Sequence, residues 1–280
     1  MPRFYVAGPG LSLSEGADVA LPEGAARHVQ VLRLQPGDAV CLFDGSGGEW
    51  TAEVSAMGRK EVRVIMKAWS SVSRELDLDV TLALGMPAND RMDTVVEKAT
   101  ELGVMAIQPL MCERSVLRLD GERALKKVAH WQGVAIAACE QSGRTRVPEV
   151  RPVMTLKSWL AQQGADAHGT HASSTSRHRR GVLSLRGAQW VGDWLGEQAS
   201  PACAGGSGIH LNNTFREAWS FLSGPEGGLS EAEEALARHQ GWTPVSLGNR
   251  VLRADTAPLT VMGLMATRYR PETGDQRDQD

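Results

Sequence analysis

A chain of 280 residues with 42% apolar and 22% charged side chains has the composition of a globular protein and enough length for two cores, since domains usually run to roughly 100–150 residues. Its formal charge of −3 excludes a generally basic nucleic-acid binder, so any polyanion-binding surface has to be a local patch. No apolar run approaches the roughly 20 residues that span a bilayer, and the N-terminus reads without basic or apolar leader regions, from which a cytoplasmic protein is expected.

Residues 1–71 read as β-rich and as one small barrel-like domain. Val40-Cys41-Leu42-Phe43 runs into Asp44-Gly45-Ser46-Gly47-Gly48 and the chain returns over Trp50 to Ser55, a hairpin signal. Val62, Val64 and Met66 supply a further strand. Through Glu75 the segment holds eight Lys/Arg against nine Asp/Glu, so composition does not mark it as an RNA binder. Residues 72–77, polar and without period, read as a linker.

Leu78 to Leu84 opens a second domain that extends to residue 270. From Asp90, the residues Met92, Val95, Val96, Ala99 and Leu102 recur three and four apart. That spacing predicts an amphipathic helix, with Asp90 capping its start and Gly103 its end. Val104 to Met111 reads as a strand and Glu122 to Gln141 as a helix whose buried face is Leu125, Val128, Ala129, Gln132, Ala135, Ile136 and Cys139. Arg144, Arg146 and Arg151 follow, either as a solvated loop or as a grip on phosphates.

Gly164 to Gly181 is poor in large apolar residues and reads as a mobile loop. Its His168, His171 and His178 match no zinc spacing, and Cys41, Cys112, Cys139 and Cys203 form no Cys-x-x-Cys, so no metal is expected. Val182 to Leu185 reads as a strand, Ala199 to Gly208 as another flexible stretch, and Trp190 and Trp194, at helical spacing, as packing residues. Ser230 with Glu233 forms a capping box for a helix through His239. The last helix runs from Thr256 to Tyr269 with Pro258 in its first turn, and residues 271–280 form a flexible tail. Strands and helices alternating from Leu78 predict an α/β domain with a mostly parallel sheet.

Two short apolar runs, Ala218 to Leu222 and Thr243 to Leu247, each end in a glycine-bearing loop. Open α/β sheets hold ligands at such strand ends. Gly224-Pro225-Glu226-Gly227-Gly228 exposes main chain to close approach, while Gly248 to Arg253 joins apolar Val251 and Leu252 to Arg250 and Arg253. Together they suit a flat, uncharged ring such as adenine; two ordinary strand-to-helix turns are the alternative. The absence of Gly-x-x-x-x-Gly-Lys-Ser/Thr, and of Gly-x-Gly-x-x-Gly after a strand, argues against a triphosphate or dinucleotide cradle.

Pro2-Arg3-Phe4-Tyr5-Val6, Asp90-Arg91-Met92-Asp93 through Glu97-Lys98-Ala99-Thr100-Glu101-Leu102-Gly103, Glu113-Arg114-Ser115, Ala137-Ala138-Cys139-Glu140-Gln141, the GPEGG loop and Leu247-Gly248 to Leu252-Arg253 follow one another in a familiar order. In that order the chain resembles the RsmE-type ribosomal RNA methyltransferases over nearly its whole length. The resemblance implies a knotted SPOUT-type methyltransferase domain with a C-terminal trefoil knot, preceded by a small PUA-like β-barrel. It implies S-adenosylmethionine as donor, S-adenosylhomocysteine as product and N3 of a uridine in 16S ribosomal RNA as acceptor, with no metal. The donor would be held by Leu222, Ser223, Gly224, Pro225, Glu226, Gly227, Leu247, Gly248, Val251 and Leu252.

Glu226 or Asp255 would take the uracil proton and Arg253 would stabilise the charge that builds on the ring oxygens; a loop-bracing Glu226–Arg253 ion pair is the competing role. RNA contacts fall on Arg3, His28 and Arg33 in the barrel and on Arg91, Arg114 and Arg144, with a structural histidine as the alternative for His28. The implied partners are 16S ribosomal RNA or the small ribosomal subunit, and a second copy of the chain joined through the Met-rich face of the last helix. Two departures stand out: Ala88-Asn89 where the family has Lys-Gly, and Asp255-Thr256 where it has Glu-Thr. A longer insertion also falls between Arg186 and Glu217. A SPOUT enzyme acting on another RNA site, such as a ribose 2′-hydroxyl, and a non-catalytic RNA-binding assembly factor are the competing functions.

Overall fold

The computed structural model describes residues 1–8, 11, 13–59, 61–88, 91–168, 178–197 and 217–268. The expectations placed on Asn89, Asp90, residues 169–177, the 199–208 stretch, Tyr269 and the 271–280 tail lie outside these residues. The chain divides into two compact units, residues 1–75 with 133–147, and residues 76–132 with 148–280.

The first unit contains β1 (Arg3–Tyr5), β2 (Asp18–Ala20), α1 (Glu23–Val31), β3 (Ala39–Phe43), β4 (Glu49–Met57) and β5 (Val62–Ser70). Its sheet runs β1-β3-β4-β5-β2. The expected hairpin is present, with Cys41 opposite Thr51 and Leu42 opposite Trp50 in an antiparallel ladder. Phe4, Val29, Val40, Leu42, Val54 and Val64 build the core. The helix α1 escaped the β-rich reading: it starts directly after Pro22 and buries Ala25, Ala26 and Val29, which are spaced for a helix face.

Glu75 is not the solvated linker residue its setting suggested. Its carboxylate is buried and accepts hydrogen bonds from Arg144 Nε at 2.9 Å, Arg144 Nη2 at 2.6 Å, Thr145 N at 3.0 Å and Arg146 N at 3.1 Å. Arg144, expected to face RNA, is therefore a structural group. It is 2% exposed, and removing one partner of such a pair typically costs about 3–5 kcal/mol because a buried charge is left uncompensated.

The second unit contains β6 (Leu78–Gly85), α2 (Arg91–Glu101), β7 (Ala106–Met111), α3 (Gly121–Ser142, counted with the first unit from Gly133), β8 (Glu149–Val150), β9 (Met154–Thr155), α4 (Leu156–His168), β10 (His178–Leu183), β11 (Gln189–Trp190), α5 (Val191–Glu197), β12 (Glu217–Ser223), α6 (Glu231–His239), β13 (Thr243–Ser246) and α7 (Thr256–Arg268). Among the described residues its strands form one sheet in the order β11-β13-β10-β12-β6-β7-β8, with β9 also on β7. Every pairing is parallel. Parallel strands bury both faces, which is why Trp219, Ser220, Phe221, Leu222 and Ser223 are all buried.

Several expectations change here. The loop expected over residues 164–181 gives way at its ends to α4 and β10. On α3, Leu125, 67% exposed, and Ala129 lie outside instead of buried; Ala135 and Cys139 are buried as expected, joined by Trp131 and Ala138, and the Trp131 Nε1–H donates to Asp93 at 3.0 Å. Trp194 packs edge-on against Trp219 and Phe221 as expected, whereas Trp190 is half exposed. Met262 and Met265 of α7 are buried in the chain's own fold, so the Met-rich face is not free to meet a second copy.

Candidate active site

Three strand ends meet at one side of the parallel sheet. Because β12 lies between β10 and β6, and β13 lies on the far side of β10, the residues following β10, β12 and β13 converge. They enclose a cleft of ≈ 350 Å³, within the range of about 300–1,000 Å³ usual for small-molecule sites.

The loop after β12 supplies Ser223, Gly224, Pro225, Glu226, Gly227 and Gly228 to the lining. Its shape is set by contacts on every side. Gly228 N–H donates to the Pro225 carbonyl at 2.8 Å, closing a turn. Arg114 Nη1 donates to the carbonyls of Gly227 at 2.9 Å and Leu229 at 3.3 Å. Glu226 Oε1 accepts from Ala88 N–H at 2.9 Å and from Arg91 Nη1 at 3.1 Å. A Cβ on Gly224 would sit 2.7 Å from Leu229 N and 2.8 Å from Gly228 C, so only glycine fits there.

Behind the loop, the expected capping box is complete: Ser230 Oγ accepts from Glu233 N–H and Glu233 Oε2 accepts from Ser230 N–H at 2.9 Å. The other Glu233 oxygen accepts Glu113 N–H at 2.8 Å, tying the start of α6 to the segment after β7. Gly85, at the end of β6, lies under the loop; a Cβ there would stand 2.5 Å from Pro225 Cδ, 2.7 Å from Pro225 N and 2.9 Å from Cys112 Sγ. Burial, with Glu233 nearby, pushes the Cys112 thiol up to about 12, so it is a protonated packing group.

The loop after β13 contributes Leu247, Arg250, Val251, Leu252 and Arg253. Gly248, with φ +114°, makes the turn that other residues resist, and its N–H donates to Ser246 Oγ at 3.2 Å. The Arg253 carbonyl accepts the first N–H groups of α7, from Thr256 at 3.0 Å and Ala257 at 3.1 Å. Val251 is 86% exposed, and Arg250 and Arg253 make no ion pair among the described residues.

The expected residues divide accordingly. Ser223 to Gly227, Leu247, Val251, Leu252 and Arg253 line the cleft; Leu222 lies beneath it in the core with Val182, Leu229 and Trp242; Gly248 and Asp255 are outside its lining. The competing Glu226–Arg253 pair is replaced by Glu226–Arg91. Arg91 and Arg114, expected at RNA, both brace the GPEGG loop. In the first unit, Arg3 is held by Glu49 and by the Arg144 carbonyl, Arg33 is exposed at φ +57°, and His28 lies edge-on to Phe4 with Nδ1 3.3 Å from Glu140.

Sequence reasoning missed a third wall, Leu183-Ser184-Leu185-Arg186 after β10. Arg186 reaches Glu231 and Glu234, each at 3.6 Å, and fastens this wall to α6. The strand end followed by Gly187 was the available signal, but only the sheet order brings it to the cleft. No group of residues suited to a metal ion occurs among the described residues, and none of their helices is long and apolar enough to cross a membrane.

Comparison with known proteins agrees with this geometry. Residues 74–188 and 197–266 match the RNA methyltransferase domain family and residues 21–67 the RNA methyltransferase PUA domain family. A ribosomal RNA small subunit methyltransferase E from Synechocystis is 31% identical over 247 residues, 88% of this chain and 72% of that protein. The chain belongs to the ribosomal RNA small subunit methyltransferase E family. Another member, from Bacillus subtilis, is 28% identical over 277 residues, covering 99% of this chain and 100% of the relative. The crystal structure of the methyltransferase E from Neisseria gonorrhoeae bound to S-adenosyl methionine superposes with a TM-score of 0.77 at 34% identity, covering 96% and 98% of the two chains. A putative methyltransferase from Legionella pneumophila in complex with the cofactor SAM gives 0.78 at 29%, covering 95% and 97%. The residues lining the cleft all fall within the segments that match the RNA methyltransferase domain family, and the segment that matches the PUA domain family lies in the first unit.

Proposed function

We propose that the cleft binds S-adenosylmethionine and that the chain methylates N3 of a uridine in 16S ribosomal RNA of the small ribosomal subunit, in the cytoplasm, as a homodimer whose C-terminal segment is knotted. The observation that carries this reading is the convergence of the two glycine loops on one cleft of donor size. Two relatives with the same fold hold this donor, and the donor fits the residues present. Gly228 lines the cleft with nothing within 4 Å of where a Cβ would stand, which leaves main chain open to close approach. Leu247, Val251 and Leu252 offer apolar cover for a purine ring.

When bound, the donor supplies a methyl group already activated by its sulfonium. The chain's own task is to align the uracil nitrogen, accept its proton and steady the charge left on the ring. Arg253 lines the cleft without an ion-pair partner among the described residues, which suits it to the charge on the uracil oxygens. Glu226 also lines the cleft; Ala88 and Arg91 hold one carboxylate oxygen, orienting the other. Asp255 stands outside the lining, so Glu226 is the carboxylate the geometry favours as base.

Glu226→Gln keeps an oxygen for Ala88 N–H while removing the base. We expect it to retain donor affinity, measured by calorimetry, and to lose about 10²-fold or more in turnover on unmodified small subunits. Full turnover in both Glu226→Gln and Arg253→Ala would overturn the assignment of roles.

A further inference from the structure

The first unit carries a feature that the donor cleft does not use. Along β5, Val62, Val64 and Met66 point into the core, and strict alternation would turn Trp69 to the opposite face. The ladder shifts register instead: Ala52 pairs with Met66 and Thr51 with Ala68, leaving Lys67 as an extra residue. Such a bulge re-aims the side chains beyond it. Trp69 is thereby set opposite Trp50, which packs half-buried against the barrel core, yet Trp69 itself is 55% exposed.

The indole rests on glycine. A Cβ on Gly48 would lie 2.8 Å from Trp69 Cζ2 and 2.9 Å from Cε2, so the ring lies against bare main chain with the rest open to water. The preceding Gly47 faces the Arg146 guanidinium, whose Nη2 and Nε would be 3.7 and 3.8 Å from its Cβ. Cα atoms of adjacent residues stand about 3.8 Å apart, which puts ring and guanidinium within reach of a single nucleotide.

The acidic groups around the turn each have partners of their own. Glu49 is matched by Arg3 and Arg74, Glu75 by Arg144, and Asp44 turns its Oδ1 to Ser46 N–H at 2.9 Å and Oγ at 2.6 Å. Arg146 is exposed and its guanidinium makes no ion pair among the described residues. An aromatic face beside an unmatched cation fits a phosphate-linked base: stacking accepts any base and the guanidinium takes the phosphate.

We propose that Trp69 of the barrel and Arg146 of the segment that follows α3 form a nucleotide-binding site on the first unit, in which an unpaired base of an RNA strand stacks on the indole and its phosphate meets the guanidinium. This rests on the reading of the chain as an RNA methyltransferase. Both residues lie in the first unit: Trp69 two residues beyond the segment that matches the PUA domain family, and Arg146 within the segment 74–188 that matches the RNA methyltransferase domain family.

The test compares the full-length chain with Trp69→Ala, Trp69→Phe and Arg146→Gln. Each is titrated with labelled oligouridylate and with an abasic oligomer of equal length, and each is assayed for methyl transfer to unmodified small subunits. Trp69→Ala should weaken oligouridylate binding about 5- to 100-fold, leave binding of the abasic oligomer unchanged, and raise the KM for subunits at constant kcat. Trp69→Phe should restore most of the affinity. Arg146→Gln should weaken both oligomers and reduce the slope of log K against log salt by about 0.7, the single-strand value for one phosphate.

Oligouridylate binding by Trp69→Ala equal to that of wild type, equal losses in Trp69→Ala and Trp69→Phe, or a changed oligomeric state of Trp69→Ala in sedimentation would overturn the proposal; the last would mean that a second copy covers the ring. Failure of the underlying reading is distinguishable, because it appears in the wild type as absence of methyl transfer.

Discussion

Gly85→Ala is a sharp test of how the cleft is built, because Gly85 lies outside both glycine loops. Its new methyl group would stand 2.5 Å from Pro225 Cδ, 2.7 Å from Pro225 N and 2.9 Å from Cys112 Sγ. Carbon contacts are comfortable at about 3.5–4.0 Å, so roughly 1 Å of movement is required, and two of the three neighbours belong to a proline ring and backbone that cannot rotate away. Overpacking of this kind typically costs about 1–3 kcal/mol. For a unit of this size that corresponds to a loss of about 2–12 °C in Tm.

Pro225 lines the cleft, so donor affinity should fall together with stability. Adding Cys112→Ala removes the sulfur contact but not the proline contacts, and should recover only part of the Tm and little of the affinity. Thermal unfolding followed by circular dichroism and calorimetric titration of S-adenosylmethionine are the assays. Unchanged Tm and donor affinity in Gly85→Ala would refute the packing of Pro225 on β6.

Other expectations follow from the same geometry. Arg253→Ala should lower turnover by about 10²–10³-fold, the usual loss for one charge-stabilising group, while calorimetry shows donor affinity retained. Glu233→Ala removes both the capping box and the acceptor of Glu113 N–H; it should cost about 1–3 kcal/mol in chemical denaturation, more than Glu231→Ala in the same helix. Burial pushes the Glu49 carboxyl up, but hydrogen bonds from Arg74 and Arg3 outweigh it and hold the group below its usual 4.5. The unfolded chain therefore binds the proton more readily, so this stabilisation is present above pH 4.5 and lost as pH falls through the lowered value. Glu49→Gln should flatten the acid limb of a stability–pH curve, and an unchanged limb would contradict the pairing.

The two glycine loops were legible because their signals are local: an apolar run, a glycine turn and a helix start lie within a few residues of one another. The capping box of Ser230 and Glu233 was readable for the same reason. What stayed hidden depends on contacts between distant residues. Nothing near Glu75 announces a partner 69 positions away, and Arg144 read alone is indistinguishable from a solvated cation. Leu183 to Arg186 became a wall of the cleft only through the placing of β10 between β12 and β13. Helical periodicity put Ala135 and Cys139 rightly on the covered face of α3, but it also put Leu125 there, which is exposed, and missed Trp131 and Ala138, which are buried. Arg91 and Arg114 looked like polyanion contacts because arginine serves loop bracing and phosphate binding equally well, and only their bonds to Glu226, Gly227 and Leu229 assign them to the loop.

The most direct measurement is to incubate the purified chain with unmodified small ribosomal subunits and methyl-labelled S-adenosylmethionine, then digest the RNA and identify the labelled nucleoside by mass analysis. A single product is expected, uridine methylated on N3, formed about 10²–10³-fold more slowly when Arg253→Ala replaces the wild type. Label on a ribose hydroxyl, on another base, or on no nucleoside at all would contradict that expectation.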